Sequence, residues 1–453
     1  MKKTRTLTEG TPWKLILSFS VPIFFGNVFQ LFYSLIDTKI VGSTLGAQAL
    51  AAVGSVSTLH TLMTGFFNGL TLGFSILTAM HFGSGNREKL RKTFASSILL
   101  GLLISVALTA VVVVFLKPLL HLLNVPQAEY EMAYFYILIL FLGLFVTMLY
   151  NACANTLRAI GDALTPLMFL ILASVSNIAL DYLFILVFHM GVSGAAVATV
   201  LAQILSVVLC FLRIYRKFPI LHVEKADFRM EKNMVVEMLQ SGMSMGLMSC
   251  LVSFGTVTLQ TAINTLGTSV IVAHTAARKV FEIICLPSSV LSSAMATFSG
   301  QNYGAKKYGR IKSGLKASLF LAFVWCGIAF LLAHTVSDKL IAFMASTSDA
   351  EILYWGSTYL KVELSFYAVC AIIVILRNTM QGFGERIIPV FSSFIELVGK
   401  IIFAFCLVPL FGYWGIIWSE PVIWFAMVIP LIVKYFKNPL IRQKKVDLSE
   451  NNR

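Results

Sequence analysis

Two apolar segments of the chain carry polar side chains that repeat at helical spacing. In the first segment these side chains lie at intervals of three, four and three residues: Asn27, Gln30, Ser34 and Asp37. In a later segment they lie at intervals of three and four residues: Ser174, Asn177 and Asp181. Residues three and four positions apart share one face of a helix, so each set predicts a polar stripe on an otherwise apolar helix.

The two aspartates could perform ion chemistry if the stripes meet. Two nearby carboxyl groups can bind and release a proton, and with amide and hydroxyl oxygens they can also hold Na⁺. An ionisable side chain inside a membrane span costs about 2.5–3.5 kcal/mol on insertion scales and commonly marks an ion pathway. Asp37 has Lys39 close by, so capping of a helix end in water is an alternative for that residue alone. For Asp181, one turn from Asn177, we favour a functional role.

Ionisable residues in the second half of the chain are arranged differently. Two pairs have the four-residue spacing of helical ion pairs: Arg278 with Glu282, and Glu396 with Lys400. Each pair can neutralise itself, so we interpret both as structural. Glu363 and Glu420 are expected near external helix ends, in water. Gln260 and Asn264, one turn apart, either line a cavity or bond to a neighbouring helix.

Proline and glycine mark two of the apolar segments. Pro22 lies in the middle of the first segment, where its missing N–H predicts a kink that either moves or only bends the helix. Gly65, Gly69 and Gly73 recur every four residues in the second segment. This pattern allows two helix backbones to approach closely.

The composition is that of an integral membrane protein. Of 453 residues, 58% are hydrophobic and 12% are charged, whereas soluble domains carry about 25% charged residues. Apolar runs of about 20 residues, the length of a membrane span, recur along the whole chain. We predict an all-α polytopic membrane protein with twelve transmembrane helices and both termini on the same side.

The positive charges predict the orientation. Most of the 35 Lys and Arg residues fall in alternate connecting segments that include both termini. The other connecting segments hold only Lys39, Lys117 and Lys339. Because cytoplasmic loops are enriched in Lys and Arg, we expect cytoplasmic termini in the plasma membrane. The net charge of +14 is then a topology signal and a contact for anionic lipids, not a nucleic-acid footprint.

Short motifs repeat at nearly constant separation. Thr44-Leu45-Gly46 recurs as Thr265-Leu266-Gly267, Gly161-Asp162 as Gly384-Glu385, and Gly191 with Gly194 as Gly412 with Gly415. Such duplication predicts two pseudo-symmetric six-span lobes. The predicted boundaries are an N-terminal lobe at 1–212, a cytoplasmic linker at 213–240, a C-terminal lobe at 241–436 and a cytoplasmic tail at 437–453.

Motifs for catalysis, ATP binding and structural metals are missing from the sequence. It contains no P-loop and no HExxH motif, and its cysteines lack CxxC spacing. We therefore expect no enzyme activity and no cofactor apart from H⁺ or Na⁺ as a coupling ion, with an ion gradient as the energy source.

Five segments resemble bacterial multidrug and toxic compound extrusion (MATE) transporters. They read EGTPWKLILSFSVPIFFGNVFQLFYSLIDTKIVG, LRAIGDALTPLMFLILASVSNIALDYLFI, GVSGAAVATVLAQ, FSGQNYGAKKYGRIKSG and IPVFSSFIELVGKIIFAF. The resemblance runs from about Glu9 to Tyr435, and its motifs occur in order. It implies a two-lobed antiporter that expels amphipathic, often cationic compounds in exchange for H⁺ or Na⁺.

The resemblance also implies positions for the site. The ion site would comprise Asp37, Asn177, Asp181 and Thr199. With the polar stripes, the predicted substrate cavity comprises Asn27, Gln30, Tyr33, Ser34, Asn151, Asn155, Gln260, Arg278 and Glu282, and the predicted kink is at Pro22. Some family members carry further carboxylates in spans seven and ten, which lack them centrally here, so we assign coupling to the N-terminal lobe.

Two other functions remain as alternatives. A flippase for lipid-linked oligosaccharides from the same superfamily should carry several unpaired basic residues in its cavity, whereas Arg278 and Lys400 each have an acid four residues away. A channel or membrane-embedded enzyme should show a filter motif or a catalytic constellation, which the sequence lacks. Both observations favour the exporter.

Overall fold

The computed structural model of the protein describes residues 6–123 and 125–442. These residues form helices and short connections, with no β-strand among them. Lys2, Lys3 and Arg5, and residues 443–453 of the predicted tail, lie outside the described residues.

The described residues contain the twelve predicted membrane spans. Eleven helices are long and apolar enough to cross a membrane, and a helix pair bent by 44° supplies the twelfth. Their bounds, numbered as spans 1 to 12, are Pro12–Leu45, Ala47–Gly83, Arg87–Val114, Tyr130–Leu142 with Leu144–Ala159, Leu164–Val187, Gly191–Lys217, Lys232–Ile263, Thr268–Gly304, Tyr308–Ala345, Ala350–Gly382, Ile387–Phe411 and Tyr413–Lys437. The all-α polytopic fold is therefore confirmed.

The chain divides into two compact units. Unit 1 contains Val21–Gly246, and unit 2 contains Leu7–Ser20 together with the chain from Leu247 onward. The divisions fall inside spans 1 and 7. Most of span 1, including Ser34 and Asp37, belongs to unit 1, whereas the first turns of this span belong to unit 2.

Backbone geometry repeats between the two units. Gly46 (φ 87°) corresponds to Gly267 (φ 95°), and Gly161 (φ 90°) corresponds to Gly384 (φ 91°). These left-handed conformations are open to glycine without steric cost, which explains why the motifs retain it. Spans 5 and 11 also share a π-helical turn, at Leu183–Val187 and Phe403–Leu407. The two halves of the sequence therefore fold alike.

Glycines allow close helix packing inside unit 1. A Cβ atom on Gly69 would lie 2.6 Å from the carbonyl oxygen of Met245 in span 7, and one on Gly73 would meet the carbonyl oxygen of Ser241. A Cβ on Gly65 would meet nothing within 4 Å. Two of the three glycines in the predicted pattern thus pack directly on the span 7 backbone.

The N-terminal segment is bonded to the end of span 8 within unit 2. The Leu7 N–H donates to Oε1 of Gln301 at 2.8 Å, and the Leu7 carbonyl accepts from Asn302 at 3.2 Å and Arg310 at 3.3 Å. Leu7 itself is buried. These bonds hold the start of span 1 to unit 2.

Candidate functional site

The structure brings together Asp37 of span 1 and Asp181 of span 5. Their carboxyl groups lie within hydrogen-bonding reach of each other. Asp181 is fully buried, and Asp37 is half-buried. The regular α-helix of span 5 ends at Tyr182, immediately after Asp181, and the π-helical turn follows. Such turns within helices are frequent at functional sites.

Asn177 links the acidic pair to its neighbours. This amide is 1% exposed, and its bonding is complete when its nitrogen faces Asp181. In that orientation the nitrogen donates to Oδ2 of Asp181 at 2.9 Å and to the Tyr33 hydroxyl at 3.2 Å, while the oxygen accepts from the Thr199 N–H at 3.1 Å. Thr199 Oγ1 donates to the Ala195 carbonyl at 3.0 Å. Spans 1, 5 and 6 thus meet at one polar cluster.

Two carboxyl oxygens of this cluster have unused bonding capacity. Oδ1 of Asp37 and Oδ1 of Asp181 are buried and accept no hydrogen bond from the described residues. Buried acceptors without partners are rare in folded proteins, and a bound proton or cation would satisfy them. The donor set fits Na⁺ as well as H⁺, because the surrounding groups supply carboxylate, amide and hydroxyl oxygens, the ligands of hard cations. For Na⁺, the Asn177 amide would present its oxygen.

One residue of the cluster was missed by sequence reasoning. Tyr136 of span 4 is 9% exposed and lies close enough to Asp37 and Asp181 to interact with both electrostatically. Tyr136 lies in a continuous apolar run, where a tyrosine is expected to serve only in packing against neighbouring helices. Only its proximity to the two carboxyl groups reveals it.

The other predicted residues of unit 1 lie in different surroundings. Gln30 and Ser34 are exposed, and Asn27 and Asn151 are half-buried. Asn155 is 2% exposed and connects two neighbours, donating to Thr71 Oγ1 and accepting from Arg158 Nη1, each at 3.0 Å. Asn155 therefore bonds within the packed interior of the unit.

Pro22 lies inside a helix that remains continuous over Pro12–Leu45. The division between the two units falls between Ser20 and Val21, next to this proline. The missing N–H of Pro22 therefore weakens span 1 at the point where it passes from one unit to the other.

Unit 2 contains a buried network of charges, and here two predictions were wrong. Glu363 and Glu420 were expected in water, yet Glu363 is 0% and Glu420 is 8% exposed. Glu420 of span 12 has two cations beside it, Nη1 of Arg278 from span 8 at 2.8 Å and Nζ of Lys400 from span 11 at 3.5 Å. Neither carboxyl oxygen of Glu363 has a hydrogen-bond partner among the described residues. The prediction considered only how close each glutamate lies to a helix end along the sequence. It did not account for the other spans that pack around both residues.

The two predicted local ion pairs belong to this larger network. Lys400 contacts Glu396 at 3.0 Å, as predicted, and Arg377 approaches the same carboxylate at 3.5 Å. Arg278 lies 3.7 Å from Glu282, farther than from Glu420. Glu282 is also exposed, so it is the weaker partner of Arg278.

A small cavity lies beside Arg278 in unit 2. Its volume is about 40 Å³, and its lining includes Thr256, Gln260, His274, Arg278, Tyr359, Ser419 and Glu420. Gln260 also donates to Oδ1 of Asn264 at 2.9 Å. Gln260 therefore lines a cavity, the first of its two alternatives, and this hydrogen bond runs along its own span and not to a neighbouring helix. The described residues contain no group of three or more His, Cys, Asp and Glu that could hold a metal ion.

Comparison with known proteins identifies the family. The MatE family model matches residues 22–183 and again 245–406, so the second match begins and ends 223 residues after the first (245 − 22 and 406 − 183). A probable multidrug resistance protein of Bacillus subtilis, YoeA, is 27% identical over 92% of this chain and 96% of its own length.

Two further relatives extend the comparison. A FAD transporter of Shewanella oneidensis is 24% identical over 91% of each chain. The solved structure of an outward-facing multidrug resistance MATE transporter superposes with a TM-score of 0.89 at 22% identity, covering 98% of this chain and 99% of that one. With the family model matching most of the twelve-span fold, the chain belongs to the MATE family of membrane transporters.

Proposed function

We propose that this transporter exports amphipathic, often cationic compounds from the cytoplasm in exchange for H⁺ or Na⁺. The observation that carries the proposal is the contact between Asp37 and Asp181 in unit 1. A pair of charged carboxyl groups inside a membrane protein is energetically costly unless it is neutralised, so the pair should bind H⁺ or Na⁺. The same two carboxyl groups would attract an organic cation.

Competition for one negative site would couple the two fluxes. When H⁺ or Na⁺ occupies the pair, its attraction for a cationic substrate falls, and when the substrate is bound, the ion is released. A site of this kind exposed alternately to the two sides of the membrane exchanges one cation for the other. Pro22, where span 1 passes between the units, is the proposed point of bending.

The charges of unit 2 disfavour the flippase alternative. Three cations, the half-buried Arg278 and the buried Arg377 and Lys400, each contact a glutamate. A cavity for a polyanionic lipid requires several basic groups free to bind phosphate. We accordingly place anionic lipids at the surface of the protein, in contact with its basic cytoplasmic segments, and propose the plasma membrane with both termini cytoplasmic.

Transport into sealed vesicles tests the proposal. The purified full-length protein is reconstituted, a pH or Na⁺ gradient is imposed, and uptake of a fluorescent organic cation is followed. We expect gradient-driven transport that Asp181→Asn abolishes, because the amide cannot exchange a proton or bind Na⁺ as a carboxylate does.

The matched control is Asp338→Asn. This aspartate is 64% exposed and lies 3.8 Å from Lys361, so the same chemical change there should leave transport unaltered. Wild-type transport by purified and folded Asp181→Asn would contradict the proposed site, and the absence of gradient-driven transport by the wild-type protein would contradict the proposed function.

A further inference from the structure

A cavity of about 290 Å³ lies at the predicted external end of unit 1. Its lining comes from the end of span 1, the start of span 2, the first turns of span 4 and the turn that leads into span 6. Neither Asp37 nor Asp181 lines it. The cavity is therefore distinct from the acidic pair.

Two tight turns leave this space open. Gly46, between spans 1 and 2, has a φ of 87°, and His189 and Gly191, between spans 5 and 6, have φ values of 53° and 61°. Left-handed conformations reverse the chain within a few residues, so these two connections are too short to cover the space between the helix ends. A Cβ atom on Gly191, which lines the cavity, would meet nothing within 4 Å.

The cavity lies outward from the acidic pair along two helices. Met132, in the cavity lining, precedes Tyr136 by four residues on span 4, and Tyr136 interacts electrostatically with both aspartates. Leu45, also in the lining, follows Asp37 by eight residues on span 1. At 1.5 Å per residue these separations correspond to about 6 and 12 Å along the helices. The cavity is thus one to two helical turns from the pair, on the side to which an exporter releases its substrate.

Glu131 gives the cavity a negative charge. Among the described residues that line the cavity, Glu131 alone is charged, and its side chain forms no ion pair or hydrogen bond with a described residue. Glu131 is exposed, so water weakens its attraction for a cation, as is typical of surface charges. Weak attraction fits a site from which an exported compound must leave.

The rest of the lining is mainly apolar and adaptable. Met132 and Met190 contribute flexible thioether side chains, which can fit ligands of different shapes. Phe135 contributes an aromatic ring, whose face attracts cations, and Leu45 and Val192 add aliphatic surface. These groups together fit an organic cation whose charge is joined to an apolar body.

Other occupants fit this lining less well. A hard metal cation prefers six or more oxygen ligands, whereas the lining offers the Glu131 carboxylate and the Ser193 hydroxyl. An anion would be repelled by Glu131, and a wholly apolar compound would remove water from the carboxylate without neutralising it. The volume is close to the lower limit of about 300–1,000 Å³ for small-molecule sites, enough for a cationic head group and one ring.

We propose that this cavity is an external binding site for amphipathic organic cations, separate from the Asp37–Asp181 pair. The inference rests on the proposed export function and deepens it, because it gives the exported cation a second, weaker site on the side of release. The buried pair and the exposed Glu131 then form two successive points of negative charge in unit 1.

Protection of an introduced thiol tests the proposal. Ser193 lines the cavity and is half-buried, so Ser193→Cys is made in the full-length protein after its seven native cysteines have been replaced. The purified variant is labelled with an uncharged maleimide in the presence of benzyltrimethylammonium or benzylsulfonate. These compounds share one ring and carry tetrahedral head groups of opposite charge. The labelling rate is measured against the concentration of each compound.

We expect benzyltrimethylammonium to slow labelling at concentrations at which benzylsulfonate has no effect. Glu131→Gln should raise the half-protecting concentration of the cation about two- to fivefold, the range for losing the attraction of an exposed charge. Phe135→Leu should raise it by a similar factor, about two- to fivefold, through loss of the aromatic face. Thermal unfolding checks that each variant is folded.

The matched control is Glu129→Gln. Glu129 and Glu131 both lie at the start of span 4, where a negative charge interacts favourably with the helix dipole, but Glu129 does not line the cavity. Its replacement should leave protection unchanged. Asp181→Asn should also change the half-protecting concentration less than twofold, because Asp181 does not line the cavity either.

Four results would overturn the external site: equal protection by both compounds, protection by neither, a thiol that the maleimide cannot reach, or a loss in Glu129→Gln or Asp181→Asn as large as that in Glu131→Gln. Each of them would leave the export function intact, because gradient-driven transport in vesicles is measured separately. If protection followed the expected pattern and the vesicles showed no such transport, the proposed function would fail and the cation site would stand.

Discussion

At the scale of single residues, the partners of a buried charge decide what the charge can do. Glu396 and Glu363 are both buried glutamates of unit 2, yet their surroundings differ. Glu396 contacts Lys400 at 3.0 Å and Arg377 at 3.5 Å, whereas both carboxyl oxygens of Glu363 lack a hydrogen bond among the described residues. Glu396 therefore forms ion pairs that stabilise the fold, whereas Glu363 forms no ion pair among the described residues.

This difference predicts the stability of two matched variants. Glu396→Gln leaves the buried Arg377 without a carboxylate and leaves Lys400 with Glu420 alone, at 3.5 Å. Breaking a buried ion pair typically costs about 3–5 kcal/mol, so the unfolding temperature of this variant should fall clearly below that of the wild type. Glu363→Gln replaces a carboxyl group that makes no hydrogen bond among the described residues with an amide of nearly the same shape, and it should leave the unfolding temperature nearly unchanged. Thermal unfolding of the purified proteins, followed by tryptophan fluorescence, measures both. Equal losses would mean that Glu363 has an essential partner.

Residues of the site differed in how far the sequence could predict them. Asp37, Asn177 and Asp181 could be predicted because polar side chains at helical spacing are rare in apolar segments. Tyr136 and Glu363 could not be assigned in this way, since their roles depend on which other spans pack around them. Helical periodicity specifies the face of one helix, and it contains no information about the neighbour that covers that face.

At the scale of helices, small residues set the distance between spans 2 and 7. Gly69→Ala would place a Cβ atom 2.6 Å from the Met245 carbonyl oxygen, so the two helices must separate and the protein should be destabilised. Gly65→Ala meets no atom within 4 Å and gains helix propensity of up to about 1 kcal/mol. We expect a lower unfolding temperature for Gly69→Ala and an unchanged or higher one for Gly65→Ala, and a reversed order would contradict the packing described here.

The helices themselves were largely predictable, and their pairing was not. All twelve spans follow from runs of apolar residues, because a membrane-spanning helix satisfies its own backbone hydrogen bonds and needs only length and hydrophobicity. The glycine pattern of span 2 indicated a close approach but not its partner, span 7. The bond network that joins Leu7 to Gln301 likewise connects residues too far apart in sequence for any local pattern to relate them.

At the scale of the whole molecule, the distribution of Lys and Arg predicts which loops face the cytoplasm. Single cysteines placed near Lys89, Lys225 and Lys306 in a cysteine-free background should react with an impermeant thiol reagent only from the cytoplasmic side. Cysteines near Gly46 and Gly191 should react only from outside. Labelling of intact cells and of inverted vesicles distinguishes the two sides, and any exchange between these groups would refute the orientation with cytoplasmic termini.

Proton coupling should be visible as a link between pH and substrate affinity. Protonation of the Asp37–Asp181 pair removes negative charge from unit 1, so the affinity for a cationic substrate should fall as the pH is lowered. Linkage is reciprocal, and substrate binding must therefore release protons to the same extent. Equilibrium binding of a fluorescent cation to the purified protein over a range of pH measures the first effect, and proton release in unbuffered solution measures the second.

The variant carrying both Asp37→Asn and Asp181→Asn separates this pair from every other titrating group. It should bind the cation with an affinity that no longer varies with pH, because neither amide can take up a proton, and it should release no protons on binding. Asp338→Asn, at an exposed position, should keep the wild-type pH dependence. If the double variant retained the full dependence, coupling would reside elsewhere, and Glu282, the exposed carboxylate 3.7 Å from Arg278, would be the next group to replace.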